Sequence, residues 1–194
     1  MRYQTLAAAA LLAVASTASA QRSFAPKAGP EIRPLVGAYV PVGNQADNFK
    51  SAVLVGGQLA FEMSENFHVL GGFSWVPQTV KFTGLTTDGA DIYQYDAGVE
   101  FNLIRQMNDY WYWRPFAGIG AGGRTYHYSA AGVGNKTCTA GYGTLGTEFQ
   151  RGIYAIRLEA RDNMSCFESP VSGLKKTNND LSFSIGLAYH FSMR

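Results

Sequence analysis

A histidine and a serine two positions apart come nearest to a catalytic pattern in this chain. His127 and Ser129 lie at the end of a strand-like segment and are followed by the small residues 130–132. A serine hydrolase needs a histidine that accepts the serine proton and a carboxylate that orients the histidine. By alternation both side chains point outward, whereas Glu148, the candidate acid, is expected to point inward. The pattern therefore supplies two of the three groups, and hydrolysis is an alternative activity.

Charged residues recur at every second position in several strand-like segments. Within residues 92–104, Asp96 and Glu100 alternate with apolar residues such as Val99. Successive strand side chains point to opposite faces, so the charges share one face. Enclosed charges must pair, because an unpaired buried charge is costly. If these segments close into a barrel with the charged face inside, the charges line its interior, the lumen. The predicted ionic network of this lumen contains five acids and four arginines: Glu62, Asp96, Glu100, Glu148, Glu159, Arg114, Arg124, Arg157 and Arg161.

Residue types that form covalent links or bind cofactors are few. Cys138 and Cys166 are the only cysteines, and an even pair in an exported chain predicts a disulfide, with two separate thiols as the alternative. The three histidines lack metal-ligand spacing, so we expect no metal. Residues 118–123 match the glycine pattern of dinucleotide-binding loops, but a strand follows where a helix is required. We therefore expect no cofactor.

The last strand-like segment, residues 181–191, indicates the fold class. Its odd positions are large and apolar, and its even positions are small or polar. Its length matches the roughly 9–11 residues of a tilted transmembrane strand. Such alternation, repeated along the chain, predicts an all-β fold: an eight-stranded antiparallel up-and-down transmembrane β-barrel. The seven earlier segments are residues 35–42, 53–63, 67–82, 92–104, 113–128, 142–150 and 153–161.

The connections between these segments alternate in length. Short turns on the periplasmic rim and longer outer loops are typical of outer-membrane barrels. Aromatic residues near the segment ends predict two girdles at the membrane surfaces. The short connections are residues 64–66, 150–152 and the somewhat longer 106–112, and the polar loops are residues 43–52, 83–91, 129–140 and 163–179. The girdle residues are 110–113 at one rim and Tyr93, Tyr126, Tyr128 and Tyr142 at the other.

The N-terminus has the features of a cleavable export signal. Arg2 precedes an apolar run at residues 6–15, and small residues at 18–20 form a cleavage site. The run is shorter than the about 20 residues of a transmembrane helix. We therefore predict a signal peptide at residues 1–20, a flexible arm at residues 21–33 and a barrel domain at residues 34–194.

Composition excludes several function classes. The 194 residues suffice for one domain. Charged residues make up 15% of the chain and the net charge is only +2, so nucleic acid is not an expected partner. A soluble lipocalin-like barrel is disfavoured, because its apolar face would enclose the lumen. Here the charges lie on the face that carries the glycines, which suits a membrane barrel.

From residue 35 to residue 191 the chain resembles the small eight-stranded outer-membrane barrels of the OmpA, OmpX and opacity-protein kind. Residues 114–122 and the aromatic-rich last strand carry the resemblance. In that family the final residue is usually an aromatic that the assembly machinery recognises, and here three residues follow Phe191. The resemblance implies location in the outer membrane of a Gram-negative cell, with membrane lipid as the surrounding partner.

Residues 127–132 resemble the His-x-Ser-Asn-x-Gly signature of the outer-membrane lipid A deacylases, with Ala130 in place of the asparagine. In those enzymes the signature lies near the chain end, whereas here three strands follow. A deacylase using His127 and Ser129 is therefore an alternative. We expect a non-enzymatic monomer, its lumen closed by ion pairs, whose outer loops contact an extracellular ligand or surface. A narrow channel for small or apolar solutes is the other alternative.

Overall fold

The structure of the chain is a computed structural model that describes residues 28–42, 46, 50–79, 89–128, 135–168 and 175–192. The predicted signal peptide and residues 21–27 lie outside this range. The described residues form β-strands that are almost all long. These are β1 (Ala28–Pro41), β2 (Ala52–Ser64), β3 (Phe67–Thr79), β4 (Gly89–Asn102), β5 (Arg105–Gln106), β6 (Tyr112–Tyr128), β7 (Lys136–Arg151), β8 (Tyr154–Glu168) and β9 (Lys175–Ser192).

Eight of these strands form one closed antiparallel barrel, which confirms the predicted fold class. Chain neighbours pair in order, β1 pairs with β9, and β4 pairs with β6 to complete the ring. The two-residue β5 pairs with β6 within the connection from β4. Closure removes every strand edge, so backbone polar groups are satisfied within the wall. Within the described part of the chain, no helix is long and apolar enough to cross a membrane.

The wall is apolar outside and polar inside. On β9, Phe183 and Leu187 are 52% and 64% exposed, whereas Ser182 and His190 are buried. A water-soluble protein would bury such apolar side chains and expose the polar ones. The arrangement is stable where lipid surrounds the wall, because the bilayer then removes the apolar surface from water. The alternation that predicted the two faces of β9 is therefore confirmed.

The first strand begins earlier than the sequence analysis predicted. Residues 28–33, assigned there to the flexible arm, belong to β1. Pro30 and Pro34 suggested an irregular segment, but they alternate with the buried residues Glu31 and Arg33. The period-2 pattern of β1 therefore starts within the predicted arm.

Tight turns connect the strands at one rim. Residues 65–66 join β2 to β3, and residues 152–153 join β7 to β8. Gly152 has a φ of 61°, a left-handed conformation that favours glycine. In the connection from β4 to β6, the backbone N–H groups of Tyr110 and Trp111 donate to Asn108 Oδ1 at 3.0 Å each. This side-chain acceptor fixes the longest of the three turns.

At the opposite rim the strands extend further than predicted. β8 continues to Glu168 and β9 begins at Lys175, so much of the predicted loop at residues 163–179 is strand. Polar residues suggested a solvated loop, but Asn163 lies opposite Asp180 and both side chains are buried in the lumen. The same difference shortens the loop before β7, which begins at Lys136, whereas the connection before β4 is shifted without being shortened because β3 ends at Thr79. The tips of these connections lie outside the described residues.

The predicted aromatic girdles are only partly right. At the turn rim, the predicted residues Tyr110 and Trp113 are 69% and 36% exposed. Tyr189, which the prediction did not include, packs edge-on against Tyr154 and Phe191, with ring centroids 5.6 and 4.7 Å apart. At the other rim, three tyrosines assigned to the girdle point into the lumen instead, because they share the alternation of the inward arginines. These are Tyr126, Tyr128 and Tyr142, which are 1%, 9% and 5% exposed.

Candidate functional site

The half of the lumen nearest the tight turns contains a continuous ionic network. Arg33 of β1 is 1% exposed, and it contacts Glu31 at 2.5 Å and Glu100 of β4 at 3.2 Å. Arg114 of β6 contacts Glu148 of β7 at 3.2 Å. Strand alternation directs all five side chains inward. The ion pairs therefore connect strands on opposite sides of the barrel.

Arg157 of β8 lies at the centre of this network. Its guanidinium contacts Glu100, and it lies 3.5 Å from Glu148 and 3.0 Å from Glu159. The same group lies over the ring of Phe116, 3.4 Å from the centroid. A guanidinium offers five donors in a planar fork, so one arginine can satisfy several carboxylates. Arg157 thus balances three acids in a region that excludes most water.

Arg161 extends the network toward the middle of the barrel. It contacts Glu159 at 3.0 Å and Asp96 of β4 at 2.9 Å. Its guanidinium lies 4.0 Å from the centroid of the Tyr142 ring. Gly120 of β6 makes room for that ring, because a Cβ at this position would overlap it. The glycines of β6 thus leave space for large side chains on the neighbouring strand.

Two buried histidines have opposite electrostatic surroundings. The Nδ1 atom of His68 lies 3.2 Å from a nitrogen of Arg33, and its Nε2 atom lies 3.4 Å from a nitrogen of Arg114. His190 faces two carboxylates, at 2.9 and 3.5 Å from its ring nitrogens. The sequence analysis assigned neither histidine to the network. Their environments differ because the facing strands present donors to one ring and acceptors to the other.

A second polar layer crosses the lumen near the long connections. Arg124 of β6 contacts Asp180 of β9, and it donates to Gln94 at 2.8 Å and to Ser165 at 3.2 Å. An apolar cluster packs at the same level. The cluster contains Tyr39, Leu54, Val76, Ile92, Tyr126 and Tyr128.

A cavity of about 30 Å³ lies between the two layers. Gln58, Asp96, Arg124 and Arg161 are among the residues that line it. This volume has room for about two water molecules. Gln58 Oε1 and Asp96 Oδ1 have no hydrogen-bond partner within the described residues, and water is a donor of suitable size for both.

Eight of the nine residues predicted for the network lie in ion pairs inside the lumen. Glu62, the ninth residue, lies further toward the rim, because it is half-buried near the end of β2, beside the turn. The eight are Asp96, Glu100, Arg114, Arg124, Glu148, Arg157, Glu159 and Arg161.

The sequence analysis missed five charged or titratable residues of the lumen. The period-2 alternation of the sequence could have indicated them, because each occupies an inward position of its strand. Glu31 and Arg33 were assigned to an arm, and Asp180 lay beside a predicted loop. The missed residues are Glu31, Arg33, His68, Asp180 and His190.

The two cysteines lie on neighbouring strands near the long connections and are not bonded to each other in this structure. The Cys138 thiol donates to the backbone carbonyl of Cys166, and Cys166 Sγ lies 3.7 Å from the carbonyl oxygen of Thr139. The thiols are therefore close in space, as the hairpin placement suggested. The disulfide itself stays a prediction.

The candidate hydrolase residues are only partly described. His127 is exposed on the outer face of β6, and Ser129 lies outside the described residues. Glu148 points into the lumen and is paired with Arg114, so it is not available to His127. The register instead places Asp91 of β4 directly opposite His127. Residues so placed have Cβ atoms about 4.5–5.5 Å apart, within reach of a contact.

Three solved structures of outer-membrane proteins have a similar fold. OprG from Pseudomonas aeruginosa is 15% identical, with a TM-score of 0.62 over 87% of this chain and 98% of that one. Neisserial surface protein A is 9% identical, with a TM-score of 0.59 over 84% and 97%. The N-terminal barrel domain of Pseudomonas aeruginosa OprF is 11% identical, with a TM-score of 0.51 over 85% and 100%. No family model and no curated protein matches the chain. The chain has the fold of the small eight-stranded outer-membrane β-barrels.

Proposed function

We propose that the protein is a non-enzymatic, monomeric barrel of a Gram-negative outer membrane, which acts through its outer loops and passes no solute through its lumen. The observation that carries this proposal is the ionic network. Arg157 contacts three carboxylates, of which Glu100 on β4 lies across the lumen, and Arg124 and Asp180 form a separate layer beyond it. An eight-stranded barrel is just wide enough to be filled by side chains.

The narrow-channel alternative needs a lumen wider than this one. The cavity between the two layers measures about 30 Å³, far below the roughly 300–1,000 Å³ of pockets that bind small molecules. Opening a path would require breaking several buried ion pairs at once, each of which is costly to break. The closed state is therefore the stable one.

The orientation in the membrane follows from the two rims. Outer-membrane barrels place their short turns in the periplasm and their longer loops outside the cell. In this chain the paired strand ends Ala28 and Ser192 lie at the turn rim, so both ends of the barrel face the periplasm. The connections after β1, β3, β6 and β8 then face the exterior, where they are available to a ligand or surface.

An epitope-insertion experiment on intact cells tests location and orientation together. One variant carries a short peptide epitope within residues 80–88, and a matched variant carries it at the turn of residues 65–66. We expect antibody to bind intact cells only when the epitope is in the longer connection. Equal labelling of both variants, or labelling of neither until the cells are opened, would contradict the proposal.

Hydrolysis of an outer-membrane lipid is the second candidate function. The placement of Asp91 opposite His127 favours it, because a carboxylate beside the histidine is the third group that a serine hydrolase needs. Both residues lie on the lipid-facing side of the wall, where an acyl chain can approach. In this candidate His127 is the base for Ser129.

Mass spectrometry of lipid A separates the two candidates. Cells that express the wild type are compared with cells that express Ser129→Ala or Asp91→Asn, and with empty-vector cells. The non-enzymatic proposal expects four identical spectra. Loss of an acyl chain in the wild type alone would establish the hydrolase instead.

A further inference from the structure

His190 lies at the seam where the first and last strands close the barrel. In the β1–β9 register it stands directly opposite Glu31. Its side chain is 3% exposed, its Nδ1 lies 2.9 Å from Glu31 Oε1, and its Nε2 lies 3.5 Å from Oε1 of Glu148 on β7. The imidazole ring therefore sits between two carboxylates and bridges three strands.

The ionic network around His190 has more carboxylates than guanidinium groups. Among the described residues, continuous ion pairs join five carboxylates to four arginines, with side chains at most 11% exposed. With a neutral His190, these groups would carry one uncompensated negative charge in a region where water is scarce. A proton on His190 balances the network. The carboxylates are Glu31, Asp96, Glu100, Glu148 and Glu159, and the arginines are Arg33, Arg114, Arg157 and Arg161.

The number of protons on the ring leads to the same charge state, although neither ring nitrogen is aligned for a hydrogen bond with a described residue. A neutral imidazole has one donor and one acceptor nitrogen, whereas an ionised carboxylate only accepts. A neutral His190 would therefore place an unprotonated nitrogen close to a carboxylate oxygen of either Glu31 or Glu148. An imidazolium has a donor on both nitrogens, so only the charged ring suits both neighbours.

A divalent cation is the alternative occupant of this position. Ligand atoms of Glu31, Glu148 and His190 lie within 4.8 Å of one another. However, Nη1 of Arg114 lies 3.6 Å from Glu31 Oε1 and 3.2 Å from Glu148 Oε1. A metal ion there would lie beside a fixed positive charge that already serves both carboxylates. A proton on His190, by contrast, leaves the contacts of Arg114 with both carboxylates in place.

We propose that His190 is an imidazolium at neutral pH, and that its ion pairs with Glu31 and Glu148 hold β9 to β1 and β7 where the first and last strands close the barrel. The other buried histidine, His68, is its internal contrast, because guanidinium groups face both of its nitrogens and favour a neutral ring. The charged or titratable groups around His190 are Glu31 on β1, Arg114 on β6 and Glu148 on β7, with Arg33 on β1 and His68 on β3 behind them.

Nitrogen NMR of the imidazole rings tests the charge state directly. The mature chain is labelled with ¹⁵N-histidine, reconstituted in phospholipid nanodiscs and measured at neutral pH, with resonances assigned through His68→Gln and His127→Gln. We expect both nitrogens of His190 to carry protons, and His68 to show one protonated and one unprotonated nitrogen. An unprotonated nitrogen on His190 would overturn the proposal. Loss of its proton on addition of Zn²⁺, reversed by a chelator, would overturn it in favour of a metal site.

Two substitutions test whether the charge holds the seam. His190→Gln removes the charge, and His190→Lys keeps a cation at the same position. We expect the unfolding temperature to fall by about 5 °C or more in His190→Gln and by less in His190→Lys. Raising the pH until the imidazolium signal disappears should lower the unfolding temperature of the wild type but not of His190→Lys. A His190→Gln variant as stable as the wild type would overturn the proposal; if that variant does not fold, a pH-independent wild type would do so.

Discussion

Arg157 shows how a barrel this narrow can be filled by charged side chains. Its guanidinium contacts three carboxylates and the face of Phe116. Moving a charge out of water is costly, and a buried ion pair is tolerated only when its partners and hydrogen bonds replace the lost solvent. The dense sharing of partners in the lumen meets that condition. The network is therefore sensitive to the loss of any one member.

Removal of Arg157 should strongly destabilise the barrel. Arg157→Ala leaves three buried carboxylates with fewer cationic partners, and breaking such a pair costs about 3–5 kcal/mol. Equilibrium unfolding by urea in lipid vesicles measures the effect. Arg151→Ala is the matched control, because Arg151 is exposed at the turn rim and lies 5.8 Å from the Trp111 ring centroid. Similar free energies of unfolding for the two variants would contradict this account of the lumen.

The lumen residues that the sequence analysis found and those that it missed are often of the same amino-acid type, and they differ in the sequence that surrounds them. Arg157 and Glu159 lie in a segment with unbroken alternation, so their inward direction could be predicted. Glu31 and Arg33 have the same alternation, but the nearby prolines suggested an arm. The pairing of His190 with particular carboxylates was out of reach, because partners across the lumen depend on strand register and barrel closure, which one strand does not encode.

At the scale of strands, small residues on one strand set the packing of the next. Gly120 of β6 faces the Tyr142 ring of β7, and that ring lies against Arg161. Gly143 on β7 is different, because a Cβ there would meet no atom within 4 Å. The two glycines therefore have different reasons to be small.

Substitution of Gly120 should disturb the lumen, whereas substitution of Gly143 should not. In Gly120→Val the new side chain overlaps the Tyr142 ring and forces it from Arg161, and overpacking of this kind costs typically about 1–3 kcal/mol. Gly143→Val adds its side chain to open space on the outer face. Urea unfolding of both variants in vesicles checks this difference. An unchanged stability of Gly120→Val would show that the Tyr142 packing is not tight.

The outer ends of β7 and β8 should be linked by a disulfide in the mature protein. Cys138 and Cys166 lie close together on these strands, and an exported chain folds in an oxidising compartment. Alkylation of the purified protein without reductant, followed by mass spectrometry, should modify neither thiol. Prior reduction should allow both to be modified. Modification of both cysteines without reduction would show that they are separate thiols.

For the whole molecule, the sequence predicted the closed barrel because eight alternating segments and alternating connections agree with each other. The structure adds what alternation cannot supply, namely which charges meet inside. Arg157 pairs with residues on β4, β7 and its own strand. Arg124 pairs with Asp180 in a separate layer. The two layers and the small cavity between them support the proposed closed lumen, and the outer wall of the barrel is suited to lipid.

Ion conductance across a planar lipid bilayer tests the closed lumen most directly. Mature protein is folded into the bilayer, and a large general porin serves as the positive control. We predict no discrete conductance steps above the background of the empty bilayer, because the ionic network and the Arg124 layer fill the barrel. Reproducible conductance steps from the folded wild type would contradict the account and would favour a channel.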